Sequence, residues 1–112
     1  MERVFTIEDP KPVAAEFLVD IDLTTWLGTE DISTVGYVAK SMETGKDVTT
    51  TVLNASKNTN TAKVVQPFIQ AGSDTASYCV IMTVTSDGTP AAVEVFYLIF
   101  SVDANIPQIG PF

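Results

Sequence analysis

Histidine is absent from the chain, and cysteine occurs once, at Cys79. Without histidine the usual hydrolytic triads lack their base, and Cys79, with no activating neighbour in sequence, reads as an inert packed thiol. One cysteine allows neither an intrachain disulfide nor a cysteine–histidine zinc cluster. Cations are scarce as well. Six Lys and Arg against fourteen Asp and Glu leave a net charge of −8, which argues against nucleic acid as a direct partner, because phosphate binding needs clustered Lys and Arg. No apolar run approaches the roughly 18 residues of a membrane span, and the opening Met-Glu-Arg-Val carries no apolar signal-peptide stretch. The expectation is a soluble chain, and a free cysteine suits a cytoplasmic or virion setting better than a secreted one. A glycine-rich phosphate loop is also missing.

What is present is globular: 46% hydrophobic and 18% charged residues over 112 positions predict one domain with its own core, spanning 1–104 and followed by a tail at 105–112. Charge is uneven, with eight acids before residue 32 and a slightly basic middle at Lys40, Lys46, Lys57 and Lys63.

Strand signals follow one another along the chain. Arg3 to Glu8 alternates and is ended by Asp9-Pro10-Lys11-Pro12. Phe17, Val19, Ile21 and Leu23 share one side of a second strand, with Glu16, Asp20 and Asp22 opposite. Thr24 to Gly28 reads as one helical turn, capped by Thr and closed by Gly, with Trp26 folded over the end of the core. Ile32 to Lys40 places Val35, Tyr37 and Ala39 on one face and Ile32, Thr34 and Val38 on the other. A turn at Gly45 leads to a threonine-rich fourth strand, Asp47 to Asn54. A polar loop follows, then Ala62 to Gln70, where Pro67 calls for an edge or a bulge.

The hairpin near the C-terminus is the strongest signal. Tyr78 to Thr85 reads Tyr-Cys-Val-Ile-Met-Thr-Val-Thr, rich in β-branched and aromatic residues, and Asp87-Gly88 tolerates the positive φ of a tight turn back to Val93–Val102. The approach Asp74-Thr75-Ala76-Ser77-Tyr78 resembles the tyrosine corner of immunoglobulin-like sandwiches. In antibody domains a cysteine follows two residues after that tyrosine; Cys79 follows at once and points to the opposite face. These signals together predict an all-β fold, an immunoglobulin-like β-sandwich of about seven antiparallel strands without a disulfide. Tyr78, Trp26, Tyr37 and Asp74 are its expected structural residues.

Alternation fails at one place. From Val93 to Phe100 both the odd positions (Val93, Val95, Tyr97, Ile99) and the even ones (Phe96, Leu98, Phe100) are apolar, Glu94 excepted, and a strand with one wet face does not look like this. Whichever register holds, one row points out of the core beside Cys79 and Ile81. The expected contact surface is therefore Cys79, Ile81, Val95, Phe96, Tyr97, Leu98, Ile99 and Phe100. Its cover is the C-terminal tail, the N-terminal arm or another subunit.

Chemistry has few places to reside. Asp20 and Asp22 project from one side of a strand and Glu30-Asp31 lies just beyond the Trp26 turn, so a loop-end Ca²⁺ site is conceivable, but the spaced oxygen donors of a dedicated calcium loop are missing. The expectation is no enzyme, no cofactor and no small-molecule substrate.

Several features taken in order resemble a family of small tail or head–tail accessory proteins of bacteriophages and prophages, the fibre-tail adaptor or immunoglobulin-like virion proteins. They are Asp9-Pro10 before an Ala and apolar stretch, Val19-Asp20-Ile21-Asp22 leading to Trp26-Leu27, Asp31-Ile32-Ser33-Thr34, and Ser73 to Val102. Asp22-Leu23-Thr24 departs from that family's frequent Asp-Trp-Ser, and Val93–Phe100 from its alternating closing strand. The resemblance implies a structural module that holds other virion proteins or itself, located in the virion or in the cytoplasm when expressed from a prophage. The competing class is an immunoglobulin-like adhesion or carbohydrate-binding module, which requires Trp26 or Tyr37 to stand clear of the core. A ring-forming tail-tube or capsid subunit is the third.

Overall fold

The computed structural model describes residues 3–7, 10–11, 14–72 and 76–103. In chain order its elements are β1 (Val4–Thr6), β2 (Phe17–Leu18), β3 (Ile21–Asp22), α1 (Thr24–Leu27), β4 (Ile32–Ser41), α2 (Thr49–Val52), β5 (Thr59–Asn60), β6 (Val64–Gln66), β7 (Phe68–Ile69), β8 (Ser77–Ser86) and β9 (Val93–Ser101). Strands dominate, and the two helical segments are single turns. Among the described residues there are nine strands rather than about seven: breaks divide two of the expected ones, the expected fourth is replaced by α2, and β5 arises in the expected polar loop.

The largest sheet has the order β1-β9-β8-β4. β8 is antiparallel to β9 and to β4 over nearly its whole length, whereas β1 is parallel to β9. The expectation of antiparallel pairing throughout is thus corrected at this edge. Parallel contact continues past β1, where the Lys11 N–H donates to Ser101 O at 2.8 Å and the Asp103 N–H to Lys11 O at 2.9 Å. The smaller strands pair as β2-β7 and β3-β6-β5. Pro67 is the joint between β6 and β7, where the strand is interrupted and no ladder N–H is needed; it is buried, and its carbonyl accepts the Val19 N–H at 3.0 Å.

One core joins these pieces. β8 contributes Tyr78, Val80, Met82 and Val84, β9 contributes Phe96, Leu98 and Phe100, and the smaller strands supply Ile21, Val65 and Ile69 from across the layer. The expected helical turn at Thr24 is α1, with Trp26 edge-on to Phe96 at 5.5 Å between centroids and Gly28 closing it at φ 62°. The cap differs from expectation: Leu23 occupies that position, and the Asp22 carboxylate accepts the Thr24 N–H at 2.9 Å.

Two further expectations are overturned. Asp47–Asn54 is not a strand; Asp47 Oδ1 accepts the Thr49 N–H at 2.9 Å and its hydroxyl at 2.6 Å, which starts α2. Val52, in the turn, and Leu53, which follows it and bridges Ile69, are then both buried. The β8–β9 connection is not a two-residue Asp87-Gly88 turn either. It is a six-residue loop, Asp87 to Ala92, in which the Ser86 hydroxyl accepts the Ala92 N–H at 2.9 Å and Asp87 exchanges two 2.9 Å bonds with Asp31. Among the described glycines, positive φ falls on Gly28, Gly45 and Gly72 and not on Gly88.

Candidate interaction surface

In β9 the side chains sort by parity. Phe96, Leu98 and Phe100 are 0%, 2% and 1% exposed, each opposite a buried residue of β8: Met82, Val80 and Tyr78. These three are therefore core residues, and their place in the expected contact surface is withdrawn. Val95, Tyr97 and Ile99 point the other way, together with Cys79 and Ile81. The register adds two residues that inspection of β8 and β9 alone missed. Val4 pairs with Tyr97, Tyr97 with Ile81, and Ile81 with Val38, so one apolar row crosses all four strands. Its members Val4, Val38 and Tyr97 are 46%, 37% and 36% exposed. Cross-strand neighbours of this kind lie about 5 Å apart, so the row is about 15 Å long.

Polarity of the face is low. Of the outward positions on the four strands, Lys40 is the one charge, and no Asp or Glu is among them. Cys79 lies in the next row, between Ile99 and Lys40. Burial pushes its thiol pKa up, so it is no ready thiolate.

The expected structural residues are accounted for individually. Tyr78 is 5% exposed and its ring lies 5.4 Å from that of Phe100. Asp74, the upstream part of the tyrosine corner, lies outside the described residues, as does the tail at 105–112. Tyr37 faces inward from the edge strand β4, donates its hydroxyl hydrogen to Thr59 O at 2.6 Å and accepts the Gln66 N–H at 3.4 Å. It fastens the large sheet to the small one, and desolvation raises its pKa despite the bond from Gln66.

Three of the carboxylates considered for an ion, Asp20, Asp22 and Asp31, are engaged by protein groups, and Glu30 by its backbone carbonyl. Asp20 Oδ1 accepts from Gln66 Nε2 at 2.8 Å, and Asp22 binds Thr24. Lys63 places its ammonium among Gly28 O (3.2 Å), Glu30 O (2.6 Å) and Asp31 Oδ1 (2.9 Å). Among the described residues no three or more Asp, Glu, Cys or His side chains are grouped to hold a metal. Lys63 was legible in the sequence only as one of four scattered lysines. Lys63→Met is expected to lower stability by about 1–2 kcal/mol in urea denaturation, the ion pair itself being half in solvent and worth little.

Acid sensitivity follows from three exposed carboxyls. Hydrogen bonds from Thr24 hold Asp22 below its ordinary pKa, those from Thr49 hold Asp47 down, and Arg3 followed by the Val95 N–H does so for Glu94. Each folded pKa is lower than its unfolded one, so the unfolded chain binds more protons in acid. The stability these groups add is present above about pH 4 and is lost as the pH falls through their folded values. A thermal midpoint that drops from pH 5 to pH 2, less steeply in Asp47→Asn, is the expected result.

A shallow depression of about 230 Å³ beside α2 is lined by Thr49, Thr50, Leu53, Asn54, Ala55 and Gln70, with no charged group to orient a ligand. No helix among the described residues is long and apolar enough to cross a membrane. No protein-family model, curated protein or solved structure matches the chain.

Proposed function

We propose that the chain is a non-catalytic contact module of a bacteriophage or prophage virion, a tail or head–tail accessory protein built on an immunoglobulin-like sandwich. The virion assignment rests on the ordered motifs from Asp9 to Val102. Buried Tyr78 at the start of β8 supports the sandwich reading. The observation that carries a contact role is the sheet face, with one charged outward position, crossed by Val4, Tyr97, Ile81 and Val38. Interfaces are depleted of charge at their centres, and in a chain of net charge −8 the outward positions of these four strands hold no acid, with Asp47 beside Lys40 at the β4 edge.

The carbohydrate-binding alternative has less behind it. It needs Trp26 or Tyr37 free to stack on sugar, yet Trp26 is packed edge-on against Phe96 and the Tyr37 hydroxyl is committed to Thr59 and Gln66. The test is particle composition. Virions from the host that carries the gene, banded by density, should contain this chain at a fixed ratio to the other structural proteins; its absence from the band would overturn the virion assignment.

A further inference from the structure

We infer that the outward face of the four-stranded sheet binds a second copy of this chain, giving a weak two-fold dimer; this rests on reading that face as a contact surface.

Charge decides the occupant. With fourteen acids against six cations, two copies that approach through most of their surface bring carboxylates together. The outward face of β1, β9, β8 and β4 is the exception, since its outward positions carry Lys40 and no acid. A basic partner is drawn to the acids elsewhere on the molecule, and an acidic partner finds here one lysine, at the edge and already beside Asp47. What this face complements is an uncharged sheet of β-branched and aromatic side chains, and the same face on another copy is one.

Geometry agrees. Two sheets pack face to face about 10 Å apart when the facing side chains are apolar and alternate along each strand. The Val4–Tyr97–Ile81–Val38 row supplies such side chains on all four strands, flanked by Val95, Ile99 and Cys79. A two-fold operation sets each row against its copy, as a self-complementary patch requires. Strand spacing and rise give the face roughly 500 Å² per copy, so a dimer buries on the order of 1,000 Å², at the low end of specific interfaces. The association is accordingly weak and concentration-dependent.

Cys79 lies on this face and is the chain's one thiol, so it reports directly on coverage. Sedimentation velocity from about 10 µM to about 1 mM, with the rate of Cys79 alkylation by N-ethylmaleimide at each concentration, tests the inference. The expected result is a mass rising from 12.0 kDa toward twice that value, with a several-fold fall in the alkylation rate. Val38→Lys and Tyr97→Glu should each weaken the dimer at least about tenfold while lowering the thermal midpoint of the dilute protein by no more than a few degrees, which shows that they fold. A chain that stays at 12.0 kDa with a constant Cys79 rate, or a dimer that survives both substitutions, overturns the inference. Monomers found in virions remove the dimer alone, whereas a dimer of a chain absent from virions leaves the interface standing and removes the virion assignment.

Discussion

Phe96→Ala is expected to cost about 4 kcal/mol, and Tyr97→Ala, one residue along the same strand, less than about 1 kcal/mol. Phe96 is fully buried, faces Met82 across the β8–β9 ladder and receives the edge of Trp26, so truncation leaves a cavity and removes a ring pair. Tyr97 is 36% exposed, and in dilute protein the open part of its ring meets water while its cross-strand neighbours are Val4 and Ile81. In thermal melts the first change should lower the midpoint by more than about 10 °C and the second by a few degrees. Equal effects would mean that the strand does not divide into a dry and a wet row.

Gly72→Ala carries the second large effect, about 2–4 kcal/mol. Gly72 has φ 107°, where a side chain is strained, and a methyl there would lie 2.8 Å from Val102 Cγ2 and 3.2 Å from Tyr78 Cε2. Val102 and Tyr78 are 2% and 5% exposed, so neither has open space to move into. Gly45→Ala is the control: its φ is 74°, but nothing lies within 4 Å of the added methyl, and only the backbone cost of about 1 kcal/mol remains. The difference between the two in chemical denaturation measures how tightly the chain is pinned against Tyr78.

The β-rich class, the long hairpin, the α1 turn and the sidedness of Phe17 to Leu23 were legible because each rests on local chemistry: alternation, β-branching, a closing glycine. The outward apolar row was only half legible. Alternation within β9 left its two rows equivalent, and the hairpin loop decides between them. A two-residue Asp87-Gly88 turn pairs odd positions of one strand with even positions of the other and sends Tyr97 inward. The six-residue loop sets Thr85 opposite Val93 and keeps even with even, which places Phe96 beside Met82 in the core. The available clue was the more apolar even row of β8, Tyr78, Val80, Met82 and Val84, which has to share a face with its partners. Val4 and Val38 join the surface through pairings that no local pattern announces.

The α2 turn was missed because its threonines favour strands. Its signal was nonetheless present, since Asp22-Leu23-Thr24-Thr25 opens α1 and Asp47-Val48-Thr49-Thr50 opens α2. In both, the aspartate binds the backbone and hydroxyl of the threonine two residues on and turns the chain before a strand can continue.

The central claim is that one sheet has a dry inner face and a wet outer one, and its three tyrosines sample that division without any substitution. Nitration of the native, dilute protein with tetranitromethane, mapped by peptide mass spectrometry, should modify Tyr97 first. Tyr37, bonded to Thr59, should follow slowly, and Tyr78 should stay protected until the chain unfolds. Tyr78 nitrated as fast as Tyr97 would contradict the account.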